Sequence, residues 1–327
     1  MKATMSSKSI EMFASVLTSK LENVNSNWQK PWFTKNELVL PTNYDKRTYR
    51  GINVLLLMLV AQSRGYETNV WMTFNRVQKL AKELKVNLHV LKGERSTPIC
   101  LVDIIVRHKE TNAKISYNDY IALGLQERSN YKTIPFYRDY LVFNACQTNM
   151  KEVAPQVWEK VIAKDTDNEV VSNKYYIEDA DNMLATNSWI CPINQVYQDS
   201  AYYSIGANTI TLPMKEQFAK GEEFYSTMFH EMAHSTHKEL KRDIKGNFGS
   251  YDYGKEELVA ELTSLLVCTT YGIEKVTKEE SCKYLKGWLK TIKEDSNFLM
   301  TVIGDVKKAY SLIMRKLQNE NEAVVAA

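Results

Sequence analysis

The apolar positions change their spacing several times along the chain, and each change marks an element. Ile10, Phe13, Val16, Leu17 and Leu21 recur at helical spacing, so Ser9–Leu21 reads as a helix. Trp28, Pro31 and Trp32 follow in a polar stretch that no helix can cross at Pro31. A densely apolar helix is predicted over Val54–Ser63 with Gly65 placed to stop it. An amphipathic one is predicted over Thr73–Leu84, with Phe74, Val77, Leu80, Ala81 and Leu84 on its inner side. The period then falls towards two. His89–Leu91, Thr97–Arg107 and Phe136–Asn144 read as strands, with a hairpin turn at Thr111–Asn112.

The polar stretch Ala163–Asn173 reads as a connection. Beyond it, Tyr202–Pro213 alternates as a strand pair around Gly206–Asn208. Helices are predicted at Glu222–Lys238, Lys255–Tyr271, Lys278–Lys293 and Asn297–Leu317, and a frayed tail at Gln318–Ala327. The pattern predicts an α+β fold in two domains. Residues 1–150 form an α+β domain with a mainly antiparallel sheet, and residues 151–327 a mainly helical domain with a small antiparallel sheet.

Composition narrows the class. With 327 residues, 44% apolar and 25% charged, the chain has a globular profile and enough length for two cores. Its longest apolar run, Val54–Ala61, is far short of the roughly 20 residues that a membrane span requires. The first residues are polar, with no apolar secretory segment. Cys100, Cys146, Cys191, Cys268 and Cys282 are scattered and never paired as CxxC, which argues for inert thiols in a reducing compartment. A cytoplasmic protein is expected. The net charge of +3 hides an asymmetry: residues 1–150 carry 21 Lys+Arg against 12 Asp+Glu, a balance of +9, so the remainder carries −6. A basic half suits a polyanionic partner.

The strongest chemical signal is His230-Glu231-Met232-Ala233-His234. On a helix the two histidines lie one turn apart on one face, so their imidazoles can converge on a zinc ion while Glu231 reaches a water bound at the open position. That is the arrangement of a zinc hydrolase with Glu231 as general base. A third ligand is needed, and downstream Glu257 and Glu261 share a helix face at i,i+4, so either can bind metal while the other supports a histidine. Glu256 reads as a surface carboxylate near a helix N-terminus. His237 reads as a solvated imidazole rather than a fourth ligand. The strand around Asn208–Leu212 is a candidate edge for an extended peptide, with Tyr202 and Tyr203 lining the cleft.

The ExxAE order of Glu257–Glu261 after HExxH resembles gluzincin-type metallopeptidases. That resemblance implies Glu257 as ligand and Glu261 as its supporting carboxylate. In the first half, residues 28–95 interleave aromatics and cations, the mixture that grips single-stranded nucleic acid. Arg47, Tyr49, Arg50, Trp71 and Lys92 are the candidate contacts. Further blocks are Pro31-Trp32, Pro41-Thr42-Asn43, Tyr49-Arg50-Gly51-Ile52-Asn53, Trp71-Met72-Thr73, Lys92-Gly93-Glu94 and Val142-Phe143-Asn144 with Gln147. Together with Ala201-Tyr202-Tyr203, His230–His234, Phe248-Gly249-Ser250, Glu256–Leu262 and Tyr284–Trp288, they resemble the ArdC-like antirestriction proteins of conjugative plasmids.

The resemblance implies a single-stranded DNA-binding domain followed by a zincin-like metallopeptidase domain that protects incoming plasmid DNA from restriction. Its peptide substrate would be a host restriction component or another DNA-bound protein. Zinc is the expected metal, although histidine–carboxylate sites also accept manganese, cobalt and nickel. The competing reading is a DNA-shielding binding protein whose metal site is structural or vestigial. A third is a housekeeping protease with a basic accessory lobe.

Overall fold

The computed structural model describes residues 8–26, 32–34, 37–116, 119–120, 123–163, 176–242, 251–275, 287–288, 291–292 and 296–318. Trp28, Pro31, Phe248-Gly249-Ser250, Tyr284, most of Lys278–Lys293 and all but the first residue of Ala163–Asn173 lie outside them.

The first half is built on helix α1 (Lys8–Ser26), strand β1 (Thr42–Asn43), helix α2 (Ile52–Arg64), strand β2 (Val70–Thr73), helix α3 (Phe74–Leu84) and strands β3 (Thr97–His108), β4 (Lys114–Ile115) and β5 (Tyr131–Asn144). The strands form one sheet in the order β1-β2-β5-β3-β4, antiparallel except for the parallel pair β1 and β2. Its spine is the long β3–β5 ladder, in register from Thr97 opposite Val142 to His108 opposite Tyr131. Asn112, at φ 58°, turns β3 into β4.

Several of the sequence blocks are structural devices. Gly51 caps α2 at φ 58°, ψ −140°, a conformation closed to side-chain-bearing residues. Asn53 then ties α2 to β3, donating to the Cys100 carbonyl at 2.7 Å and accepting from the Cys100 N–H at 3.0 Å. Gly65 ends the same helix in the left-handed region at φ 64°. His89–Leu91 contributes only a single bridge, Val90 to Thr148, instead of a strand. The chain there turns through Gly93 at φ 90°, and Gln147 donates to both the Glu94 carboxylate and the Arg95 carbonyl. Phe74, assigned to the inner face of α3, is 49% exposed. It is the first residue after the Thr73 cap, where side chains lean back beyond the helix start, and its ring meets Phe143 at 6.5 Å.

The second half adds α4 (Pro155–Ile162), α5 (Glu178–Thr186), strands β6 (Ile193–Val196), β7 (Tyr202–Ser204) and β8 (Thr209–Pro213), and helices α6 (Gly221–Ser235), α7 (Tyr251–Thr270) and α8 (Ser296–Leu317). The small sheet has the order β6-β8-β7 and is mixed: β6 pairs parallel with β8, β7 antiparallel. The Asn208–Leu212 strand is therefore central, and the edges are β6 and β7. The expected pair of β7 and β8 is present, and the unanticipated neighbour is β6, whose residues show no clear period.

Helix α7 is buried on every side from Glu256 to Thr269, its glutamates included. Leu258, Val259, Leu262, Leu265 and Leu266 join the core that holds α1, α2, Trp32, Trp71 and part of α8. Ala260, Val267 and Cys268 join the core beneath α6 and the small sheet. One apolar cluster thus runs from the first half of the chain into the second. Trp158 of α4 packs in a third cluster with Met72, Val77 and Leu80.

Candidate metal centre

Helices α6 and α7 pack antiparallel, so each turn of one faces a turn of the other. Ser264 donates to the Ser226 carbonyl at 3.0 Å; one turn on, His230 faces Glu261 and Glu257; a further turn on, His234 faces Glu257 and Glu256. The one-turn spacing of the histidines and the i,i+4 spacing of the glutamates are each about 6 Å along a helix. Matched steps on antiparallel helices bring the four groups together.

Among the described residues, one set of three side chains has the geometry to hold a metal ion: His230, His234 and Glu257, with donor atoms within 4.8 Å of one another. The two imidazole Nε2 atoms lie 3.1 Å apart. The Glu257 oxygens lie 3.5 Å from each of them, Oε2 from His230 and Oε1 from His234. Ligand atoms bound to one tetrahedral ion at about 2.0–2.2 Å stand roughly 3.3–3.6 Å apart, so the triangle is close to one face of such a site. The residues fit the group. Glu231 is buried at 4% exposure and acts electrostatically on His234.

Each histidine is backed by its own carboxylate. His230 Nδ1 lies 3.5 Å from Glu261 Oε2, and His234 Nδ1 lies 3.4 Å from Glu256 Oε1. Such partners orient a ligand imidazole and raise its basicity. Glu256 is thus not the surface carboxylate expected from its place near a helix start. It is 7% exposed and clamped by Arg242, whose guanidinium donates to Oε1 at 2.6 Å and Oε2 at 3.2 Å. Arg242 also donates to Thr236 Oγ1 and the Ala233 carbonyl, which fixes it against the end of α6. Nothing in the sequence paired residue 242 with residue 256, and Glu256 itself was one step out of the i,i+4 pattern.

The electrostatics follow from burial against charge. Desolvation acts to raise the Glu261 carboxyl, but Lys275 and His230 outweigh it and hold it at about 2. Desolvation also acts to lower His234, and Glu257, Glu256 and Glu231 overcome it, so the metal-free imidazole is raised. Cys268, buried in the same helix, is pushed up to about 12 by desolvation, which agrees with an inert thiol.

His237 lies apart from the triangle, half-buried, its Nε2 3.2 Å from the Tyr203 hydroxyl. The same hydroxyl donates to Asn208 Oδ1 at 2.8 Å. Tyr202 is 48% exposed on the edge strand β7.

The candidate nucleic-acid residues divide. Arg47, Arg50 and Lys92 are exposed. Tyr49 is packed against the core, and burial pushes its hydroxyl up to about 12. Trp71 is fully buried, with its Nε1–H donated to Asn69 at 2.9 Å and Tyr66 edge-on at 6.0 Å, so it offers no face for a base to stack on. It is a core residue here, and composition alone could not separate the two roles. Among the described Phe, Tyr and Trp residues of this half, the exposed ring is Phe74.

Fold and site define a mixed helix–sheet protein with a candidate metal centre between two buried helices. Residues 7–143 match the family described as the N-terminal domain of anti-restriction factor ArdC, and residues 178–303 match a zincin-like metallopeptidase family. The two matches together make the chain ArdC-like in its domain order, an ArdC-type N-terminal domain followed by a zincin-like metallopeptidase domain.

The crystal structure of the antirestriction ArdC protein from plasmid R388, metal-free, superposes with a TM-score of 0.64, covering 94% of this chain and 98% of that one at 24% identity. Its Mn(II)-bound form gives 0.63 at 22% identity. Two Escherichia coli proteins named DNA primase TraC are 25% and 27% identical over 93% of this chain. The chain spans only 20% and 27% of their lengths. An uncharacterized protein, y4eC, of Sinorhizobium fredii is 25% identical over 89% of this chain and 86% of its own. The zincin-like match and the converging His230, His234 and Glu257 suit a divalent metal. No helix among the described residues is long and apolar enough to cross a membrane.

Proposed function

We propose that the protein is a zinc-dependent metallopeptidase of the antirestriction type, acting in the cytoplasm on a protein held near single-stranded DNA. The observation that carries the reading is the triangle of His230, His234 and Glu257 with Glu231 buried beside it. Zinc held by His230, His234 and Glu257 would supply a lowered water pKa and a Lewis acid for the scissile carbonyl. Glu231 takes the water's proton onto its carboxylate and returns it to the leaving amine. Glu261 and Glu256 hold His230 and His234 in the orientation that directs both Nε2 atoms inward. An extended peptide pairs along β7, the edge strand beside α6, with Tyr202 exposed next to it.

Glu231→Gln removes the base and keeps the side chain's shape. It is expected to bind zinc as the parent does while peptide hydrolysis falls by about 10²–10⁴. Zinc content by atomic absorption and cleavage of a casein substrate measure the two. Hydrolysis at the parental rate in Glu231→Gln would remove Glu231 from the mechanism.

The basic first half tracks phosphates through exposed cations such as Arg47 and Arg50. Reversing both to Glu is expected to weaken binding of a single-stranded oligonucleotide and to flatten its salt dependence by about 0.7 per lost phosphate contact, a slope measured by fluorescence anisotropy. An unchanged slope means that these two residues do not touch the strand.

A further inference from the structure

Trp32 belongs to the first half of the chain, yet it ends within the metal centre. It is fully buried, and its indole Nε1–H donates to Glu261 Oε1 at 3.0 Å. Its backbone N–H donates to the Lys275 carbonyl at 2.8 Å, the same residue whose ammonium lies 3.1 Å from Glu261 Oε2. The Glu261 carboxylate is thus gripped at one oxygen by Trp32 and at the other by Lys275, with His230 Nδ1 3.5 Å away.

The grip extends back into the first half. Gln62 of α2 donates to the Trp32 carbonyl at 3.2 Å, and Lys20 of α1 donates to Gln62 Oε1 at 2.8 Å. A carboxylate that supports a metal-bound imidazole works only if its own oxygens are fixed, since a rotation about the terminal bond moves the acceptor away from Nδ1. Glu261 Oε1 is held by a rigid ring whose position the first half sets.

We infer that Trp32 is a positioning residue of the metal centre: its indole N–H fixes Glu261, which fixes His230, so the first half of the chain supplies part of the metal-binding machinery. The inference rests on the metal-centre reading above. The two halves are then not independent at the site, and metal affinity is a property of the whole chain.

The test is Co(II) titration of the full-length protein, which reads affinity and, through the visible absorption bands, ligand geometry. Trp32→Phe keeps an aromatic ring in the core and removes the donor. It is expected to bind Co(II) about tenfold more weakly with altered bands, the lower end of the loss seen for groups behind a metal ligand. In a background carrying Glu261→Leu with Lys275→Met, where there is no carboxylate to position, Trp32→Phe is expected to change nothing further.

Equal Co(II) affinity of Trp32→Phe and the parent overturns the inference. So does an equal loss in the apolar background, because the ring then acts through packing. A second measurement needs no core substitution: the indole ¹H–¹⁵N resonance of Trp32 in the unaltered chain shifts on saturation with diamagnetic Zn(II) if the relay holds, and an unmoved resonance also overturns it. Failure of the unaltered protein to bind Co(II) is a different result, since that removes the metal centre itself.

Discussion

Lys275→Met is expected to destabilise the fold by about 3–5 kcal/mol at neutral pH, the usual cost of removing one partner from a buried ion pair. Lys275 and Glu261 are 1% and 0% exposed at the side chain and 3.1 Å apart. The ammonium reaches Glu261 because Gly272, at φ 67°, reverses the chain at the end of α7, where the Ile273 N–H returns to the Cys268 carbonyl at 2.9 Å. Without the ammonium, a carboxylate at the centre of the protein must stay charged in an apolar surround or take up a proton.

The sign with pH follows. Glu261 titrates at about 2 in the fold, below its unfolded value near 4.3. It therefore contributes stability above pH 4.3 that is lost as pH falls towards 2. The difference between parent and Lys275→Met, read as urea midpoints, is expected to be largest near pH 7 and to shrink below pH 4. Pairing Lys275→Met with Glu261→Leu is expected to recover most of the stability and still weaken metal binding by 10–100-fold, because His230 loses its carboxylate. A Lys275→Met protein within 1 kcal/mol of the parent at pH 7 would mean that the pair is solvated.

The parts of this site that could be read from the chain are those carried by one helix at a time. His230, Glu231 and His234 share a face through local spacing, as do Glu257 and Glu261, and local spacing is what a sequence displays. The residues that complete the centre come from elsewhere. Arg242 meets Glu256 across the end of α6, Lys275 returns after a glycine reversal, and Trp32 arrives from 229 positions away.

The same limit explains the errors. The β7–β8 pair was visible but its third strand, β6, was not, so a central strand was taken for an edge. A buried tryptophan and a stacking one have the same letter, and Trp71 proved to be core. The α+β class and the strong helices needed only periodicity. The short helices α4 and α5, with 8 and 9 residues, give too few turns for a period to register.

Separating metal ligand from support is the second large effect. His234→Ala and Glu257→Ala each remove a corner of the donor triangle, and metal-dependent stabilisation is expected to vanish in both. The parent, at an ion concentration 100 times its dissociation constant, gains about 2.7 kcal/mol against unfolding. Glu256→Gln is expected to retain binding at 10–100-fold lower affinity, since it touches His234 through Nδ1 and leaves the inward-facing Nε2 in place. Thermal melts across a zinc titration distinguish the classes: a flat response for the two Ala variants, and a response shifted to higher concentration for Glu256→Gln. If Glu257→Ala instead gave the shifted curve and Glu261→Ala the flat one, the ligand would be Glu261. The 3.5 Å contacts of Glu257 with both Nε2 atoms, against the contact of Glu261 with Nδ1 alone, argue for the first order.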